Sequence, residues 1–187
     1  KAFDLSYDYI INSNEKVAEK GHKTEEAINT IDEQLTRYLI SLSSEALSQK
    51  ESEVLTNILD SSRDLERIGD HAEALINLND YLQRKNVQFS EAALEELAEI
   101  YLKTSEFVKD ALESVENNDL EKAQALIERH EDINKMERVL RKTHIKRLNN
   151  GECSTQAGVN FIDIISHYTR VSDHAMNLAE KVLAEQI

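Results

Sequence analysis

The sequence predicts an all-α protein, and three observations support that prediction. The 187 residues include no Pro and only four Gly, so the residues that interrupt helices are nearly absent. Leu, Ala, Glu and Lys, which favour helices, are abundant. Apolar residues recur at steps of three and four along most of the chain, and no segment alternates strongly enough to predict a strand. Because short loops join helices of this length, we expect an antiparallel helical bundle.

The first half begins with a short apolar segment, followed by two long helices. The segment "FDLSYDYII" covers residues 3–11. In "EKGHKTEE" (19–26), Gly21 indicates a break before the first long helix. Thr24, followed by two glutamates, is predicted to cap that helix, because a threonine oxygen can accept the free amide hydrogens of a first turn. We expect that helix to end near residue 47. The polar run "SQKES" (48–52) is predicted to connect it to the second helix, which continues to about Gln83.

Three further helices are predicted in the second half, at 90–117, 119–149 and 154–185. Ser90 begins the first of them, and Asn118 or Asp119 caps the second. Gly151 lies just past the end of the second, where glycine tolerates a left-handed backbone. The apolar positions that we expect the last helix to bury are Val159, Ile162, Ile165, Tyr168, Val171, Ala175, Leu178 and Val182.

Two pairs of segments resemble each other, which indicates an internal duplication. "RIGDHA" (67–72) matches "RVSDHA" (170–175) at an offset of 103 residues. The preceding helices match at an offset of 105, with "EEAINTIDEQL" over "HEDINKMERVL". We therefore predict two three-helix repeats, 1–86 and 87–187, packed together as one elongated bundle. The first helix of the first repeat is predicted to be truncated to the short apolar segment.

Charge and composition exclude several classes of function. The chain has 36 acidic and 22 basic residues and a net charge of −14, which repels phosphate backbones, so we expect no nucleic-acid binding. Cys153 is the only cysteine, which permits no internal disulfide and is typical of a reducing, cytoplasmic location. No apolar run approaches the roughly 20 residues of a membrane span, so we expect no direct insertion of this segment.

Glu66 and Asp70 are the strongest candidates for a binding site. Residues four apart lie about 40° apart around a helix, so both carboxylates share a face beside the apolar stripe. Their repulsion, a few tenths of a kcal/mol, would be relieved by a divalent cation or by Arg63 or Arg67. Hard oxygen ligands suit iron, manganese or magnesium better than zinc. The structural alternative is a solvated acidic edge that pairs with the two arginines.

The segment "DLERIGDHAEAL" and its second copy, "HYTRVSDHAMNLAEKV", resemble PhoU, the helical regulator of bacterial phosphate uptake. "EEAINTIDEQLTRYL" and "INKMERVLRKTHIKRL" are similar to the PhoU-like domain on the cytosolic side of bacterial sodium/phosphate cotransporters. The resemblance covers the chain from about Asn14 onward. It implies a non-enzymatic regulatory domain linked to phosphate transport. Its implied partners are the membrane portion of a transporter or other phosphate-uptake and signalling proteins.

The same resemblance implies a metal, because Glu/Asp-x-x-x-Asp motifs on paired helices of PhoU-like proteins hold metal clusters. Glu66 and Asp70 match one motif intact, while each of the other three motifs lacks at least one acid. In the second repeat, for example, Thr169 replaces an acid. The implied ion is a divalent or trivalent metal: iron, manganese, magnesium or zinc. The candidate ligands are Glu25, Asn29, Glu66, Asp70, His130, Asn134 and Asp173.

Two other classes of function stay open. A di-iron carboxylate enzyme needs inward Glu-x-x-His pairs on two helices, and the chain has a single such pair, Glu19 with His22. A structural or interaction module, which docks a partner or forms a homodimer, fits the same apolar stripes. His71 and His174 lie about 100° around the helix from the motif acids. We therefore expect these histidines to face solvent or a neighbouring helix.

Overall fold

The structure, a computed structural model, describes residues 1–43 and 47–184. Helices are the only regular secondary structure in these ranges. The predicted fold class is therefore confirmed. None of the helices in these ranges is long and apolar enough to cross a bilayer. Residues 44–46 and 185, at the predicted ends of two helices, lie outside the described residues. The six helices are α1 (Ala2–Asn12), α2 (Glu15–Ser43), α3 (Gln49–Arg84), α4 (Glu91–Asn117), α5 (Leu120–Asn149) and α6 (Thr155–Leu183).

Helix caps and one glycine confirm three predicted boundaries of the second half. Ser90 accepts a hydrogen bond from the amide of Ala93 at the start of α4. The side chain of Asp119 accepts a hydrogen bond from the amide of Lys122 at the start of α5. Such caps satisfy amide hydrogens that have no partner within the helix. Gly151, just beyond α5, has a φ of 70°, the left-handed conformation that favours glycine.

The predicted start of the first long helix is wrong. α2 begins at Glu15, and Thr24 lies inside it, where its hydroxyl donates a hydrogen bond to the carbonyl of Lys20. The glycine that suggested a break, Gly21, also lies inside α2. It is buried against Ile76 of α3, so the missing side chain permits a close approach of two helices and does not end one of them.

Two smaller expectations also differ from the structure. The run 48–52 is not a connection, because Ser48 caps α3 and forms a reciprocal capping box with Glu51. Val159 is 51% exposed and not buried. Its neighbours Gly158 and Asn160 occupy the buried positions of that turn of α6, so Val159 points outward.

The helices pack as two sets of three that share a core. α1, α2 and α3 contact one another, as do α4, α5 and α6, and the sets meet where α3 packs on α6 and α1 on α4. One apolar cluster combines Phe3 of α1 and Leu75 of α3 with Leu97 of α4 and Phe161 of α6, so the two sets share a core. The largest fully buried side chains include Leu75, Leu97, Phe107, Leu126, Phe161, Ile165 and Tyr168.

Candidate functional site

The predicted ligands of the first half lie on two helices that pack against each other. Glu25 and Asn29 belong to α2, and Glu66 and Asp70 belong to α3. Glu25 is only 8% exposed, and Nδ2 of Asn29 donates a hydrogen bond to its Oε1. The negative charge of Asp70 raises the pKa of both Glu25 and Glu66. The four residues therefore lie along one interhelical boundary, which we call the acidic seam.

Negative charge accumulates along the acidic seam. Burial is the main cause that raises the pKa of Glu25, and the nearby charges of Glu73 and Asp70 raise it further. Burial and Asp70 also raise the pKa of Glu66, with a smaller contribution from Asp32. Both glutamates therefore hold their charge less readily than a free glutamate does. A cation bound between these helices would offset that repulsion.

Part of this charge is compensated by Arg67. Its Nε lies 3.7 Å from Oε2 of Glu66, and its Nη1 lies 3.5 Å from Oδ2 of Asp70. These contacts are the arginine pairing that the structural alternative predicts. Arg63, the other arginine considered, lies 3.8 Å from Asp60. The Arg67 side chain is 62% exposed, and ion pairs at such positions contribute little to stability.

The donor chemistry of the acidic seam fits a hard cation. Oδ1 of Asn29 is buried without a hydrogen-bond partner, which is unusual because buried acceptors are nearly always satisfied. Carboxylate and amide oxygens are the ligands that hard divalent cations prefer. Within the described ranges, however, no three His, Cys, Asp or Glu side chains converge in the geometry of a metal site. The seam therefore offers suitable ligands without a preformed cage.

The candidate ligands of the second half satisfy one another. Nε2 of His130 lies 3.0 Å from Oδ1 of Asp173 and 3.4 Å from Nδ2 of Asn134. Nη1 of Arg170 lies 3.4 Å from Oδ2 of the same aspartate. The hydroxyl of Thr169, at the position of the lost acid, donates to the carbonyl of Ile165. With one carboxylate and an arginine beside it, this group fits a metal poorly.

Sequence reasoning missed three residues of the acidic seam. Asp32 and Glu73 act on the pKa of Glu66 and Glu25, respectively. His22 lies with its Nδ1 3.0 Å from Oε1 of Glu73. Each of the three is three residues from a predicted ligand on the same helix, so helical periodicity alone could have found them.

A second polar group, which we call the histidine cluster, lies where α3 packs on α6. Nδ1 of His71 lies 3.0 Å from Nδ1 of His167, and the rings of His71 and His174 are 5.6 Å apart between centroids. His174 in turn lies 3.0 Å from Asp64, which also pairs with Lys181 at 3.2 Å. His71 and His174 thus face a neighbouring helix, one of the two orientations that the sequence predicted.

The Glu-x-x-His pair that a di-iron enzyme would need does not form a common site. Oε1 of Glu19 pairs with Lys23 at 2.6 Å on an exposed face of α2. His22 contacts Glu73 of α3 instead. The two side chains are therefore engaged with different partners.

These features define a class of protein: an all-α bundle of two three-helix sets, with an acidic seam inside one set and a histidine cluster between them. The chain belongs to the PhoU domain family, whose model matches residues 1–78 and 97–182. The resemblance to PhoU stated above is therefore confirmed.

Individual proteins agree with this assignment. The chain is 30% identical over 178 residues to "Phosphate-specific transport system accessory protein PhoU homolog 1" of Thermotoga maritima, covering 95% of this chain and 68% of that protein. The fold matches the crystal structure of PhoU from Pseudomonas aeruginosa with a TM-score of 0.88 at 18% identity, covering 100% of this chain and 90% of the other. It also matches the phosphate transport system regulatory protein PhoU from Streptococcus pneumoniae, with a TM-score of 0.83 at 21% identity and coverages of 97% and 84%. At these identities the two structures show the fold alone.

Proposed function

We propose that this chain regulates phosphate transport by binding other proteins and catalyses no reaction itself. The observation that carries this proposal is the family match, which extends over both three-helix sets. The name of the Thermotoga relative, an accessory protein of a phosphate-specific transport system, supports the same function. The proposed partners are phosphate-uptake or signalling proteins.

The more specific proposal is that the chain forms the cytosolic part of a sodium/phosphate cotransporter. Its support is the resemblance of "EEAINTIDEQLTRYL" and "INKMERVLRKTHIKRL" to the domains attached to such transporters. The partner would then be the membrane portion of the same transporter, and the domain would work at the cytosolic face of the membrane. The reading frame that surrounds this chain tests the proposal, since several membrane spans encoded upstream are expected.

A gene deletion tests the regulatory function. Deleting the gene that encodes the chain is expected to change cellular uptake of radiolabelled phosphate, and supplying the chain again is expected to restore it. Unchanged uptake in the deletion strain, under both phosphate-rich and phosphate-poor growth, would contradict the proposed function.

We further propose that the acidic seam holds a divalent or trivalent cation. Glu25 and Asn29 from α2 and Glu66 and Asp70 from α3 would hold it, and its positive charge would neutralise the repulsion along the seam. The raised pKa of both glutamates and the unsatisfied oxygen of Asn29 support this proposal. The residues His130, Asn134 and Asp173 would contribute little, because they already pair with one another.

Elemental analysis tests the cation site. The purified chain is expected to contain metal that Glu66→Ala/Asp70→Ala loses, whereas the matched control Asp173→Ala retains it. Added Mn²⁺ at about 100 times its Kd is expected to stabilise the wild-type chain by about 2.7 kcal/mol and the double variant by much less. A metal-free chain whose melting temperature ignores Mn²⁺ would favour the second candidate, an interaction module without metal, which the Arg67 pairing supports.

A further inference from the structure

Two histidines contact each other across the boundary between the two three-helix sets. His71 of α3 and His167 of α6, which we call the histidine pair, lie with their Nδ1 atoms 3.0 Å apart. Two nitrogen atoms at this distance share a single hydrogen, because two N–H groups would repel each other. One Nδ1 is therefore an acceptor, and the ring that carries it is neutral.

The internal duplication places a different pair at the equivalent position. At the repeat offset of 103 residues, His174 is the counterpart of His71, and Asp64 is the counterpart of His167. Nδ1 of His174 lies 3.0 Å from Oδ1 of Asp64, the same separation as in the histidine pair. Lys181 also binds Asp64, at 3.2 Å, so the charge of this carboxylate is compensated. In the histidine pair, an imidazole occupies the position that a carboxylate has in the other pair.

The separation within the histidine pair is that of two adjacent ligands on one metal ion. Imidazole nitrogens bind ions such as Zn²⁺ at about 2.0–2.1 Å. In the tetragonal geometry that Cu²⁺ and Ni²⁺ prefer, adjacent ligands at this distance lie about 3 Å apart. In the part of the chain that the structure describes, no three His, Cys, Asp or Glu side chains form a metal site. The pair therefore offers two ligands, and water would complete the coordination.

Positive charge near the histidine pair is compensated. The guanidinium groups of Arg67 and Arg170 both act on His71. Nη1 of Arg67 lies 3.5 Å from Oδ2 of Asp70 on the same helix. Nη1 of Arg170 lies 3.4 Å from Oδ2 of Asp173 on its own helix. Each arginine therefore has an acid beside it, which weakens its repulsion of a cation at the pair.

The histidine pair also lies close to solvent. The side chains of His71 and His167 are half-buried, and the ring of His174 lies 5.6 Å from that of His71. His174 lines a cavity of about 630 Å³ between α3 and α6. Because a water molecule takes up about 30 Å³, this cavity has room for several. The pair is therefore one side chain away from water that can complete a metal site.

We propose that His71 and His167 bind a transition-metal ion of the Cu²⁺ or Ni²⁺ type, which links α3 to α6. Imidazole ligands suit these ions, whereas the carboxylates of the acidic seam suit hard cations. The two sites also lie on different boundaries, since the seam is between α2 and α3. A bound ion would hold the two three-helix sets together. The inference goes beyond the proposed regulatory function and does not depend on it.

Calorimetric titration with Ni²⁺ tests the histidine pair. The titration is made in excess Mn²⁺, which would occupy the acidic seam but binds imidazole sites more weakly than Ni²⁺ does. The wild-type chain is expected to bind one equivalent of Ni²⁺, and His71→Gln and His167→Gln are each expected to weaken this binding at least tenfold. The matched control His22→Gln, at a half-exposed histidine of α2, is expected to bind like the wild-type chain. Circular dichroism verifies that the variants are folded.

Electron paramagnetic resonance of the chain with one equivalent of Cu²⁺ identifies the ligands. The spectrum is expected to show coupling to two imidazole nitrogens, and His71→Gln is expected to reduce this to one. A spectrum from oxygen ligands alone would overturn the proposal.

Three results of the Ni²⁺ titration would also overturn it. The first is no binding to the wild-type chain, since the pair would then be a simple hydrogen bond. The second is unchanged binding to both His71→Gln and His167→Gln. The third is binding that His22→Gln abolishes, because the ion would then lie in the acidic seam. None of these measurements depends on phosphate uptake, so the proposed function stands or falls separately.

Discussion

At the scale of single residues, burial decides which side chains carry charge. His71 lies in the histidine cluster, where burial and then the neighbouring His167 and His174 lower its pKa from 6.5 to about 4. Burial likewise lowers the pKa of His167. The charges of Arg67 and Arg170 also lower the pKa of His71, whereas the charge of Asp163 raises the pKa of His167. Asp64 contacts His174, the third member of the cluster. His71 is therefore neutral at pH 7, and its protonation opposes the packing of α3 on α6.

The pH dependence of stability should reveal that protonation of His71 destabilises the fold. Because the folded pKa of His71 lies below its unfolded value, the unfolded chain binds the proton more readily, and stability is lost as the pH falls from about 7 towards 4. We expect the melting temperature of His71→Gln to decrease less over this interval than that of the wild-type chain. The matched control is His22→Gln, at a half-exposed histidine of α2. Parallel melting curves for wild type and His71→Gln would contradict the assignment.

At the scale of helices, the close approach of α2 and α3 depends on glycine. A Cβ atom at Gly21 would overlap with Cδ1 of Ile76, which is 1% exposed and cannot move into solvent. A Cβ at Gly69 would lie 3.2 Å from Cδ1 of Ile28, a contact that needs only a small adjustment. The two glycines face the same pair of helices, but only one of them is required for their spacing.

Alanine substitutions distinguish these two positions. Gly21→Ala is expected to destabilise the chain by about 1–3 kcal/mol through overpacking, reduced by the roughly 1 kcal/mol that alanine contributes to helix stability. Gly69→Ala keeps that helix contribution and should be close to neutral or slightly stabilising. Urea unfolding monitored by circular dichroism measures both free energies. A Gly21→Ala variant as stable as Gly69→Ala would show that α2 and α3 can separate at little cost.

At the scale of the whole molecule, the two three-helix sets are held together by a shared core and by buried polar contacts. Lys181 of α6 pairs with Asp64 of α3, and both side chains are only 13% exposed. Asp64 also accepts a hydrogen bond from Asn177 and contacts His174. Truncating the lysine leaves the aspartate without its cationic partner at the boundary between the sets.

Lys181→Ala should therefore weaken the entire molecule. Removing one partner of a largely buried ion pair is expected to decrease the free energy of unfolding by about 3 kcal/mol. For a chain of this size, that is about 6–12 °C in melting temperature. Because the sets share a core, the transition should shift as one cooperative unit. Lys135→Ala, at an exposed ion pair, is the matched control and should change stability by less than about 0.5 kcal/mol. A split transition in Lys181→Ala would indicate that the sets unfold independently.

The fold was largely predictable because helix formation depends on local patterns. The steps of three and four, the caps at Ser90 and Asp119 and the glycine at 151 are properties of neighbouring residues. The predictions failed where a local signal had a tertiary role. Gly21 resembled a helix break, but it permits the packing of Ile76.

The candidate site was predictable only in part. Spacing placed Glu66 and Asp70 on one helical face, and the repeat placed Glu25 on the adjoining helix. The structural alternative anticipated the pairing of Arg67 with the acids of α3. Spacing could not show that Oδ1 of Asn29 is buried without a partner, or that Glu73 of α3 acts on the pKa of Glu25 of α2. Those facts depend on side-chain directions across two helices.

The sequence by itself determined the helical class, the duplication and the kinship with PhoU, because composition, periodicity and repeated motifs are written along the chain. Tertiary structure alone decided that His71, His167 and His174 meet between the two sets, and that Gly21 of α2 faces Ile76 of α3. The physical reason is the same in each case. Periodicity fixes which face of a helix a residue occupies, whereas only packing determines what lies opposite that face.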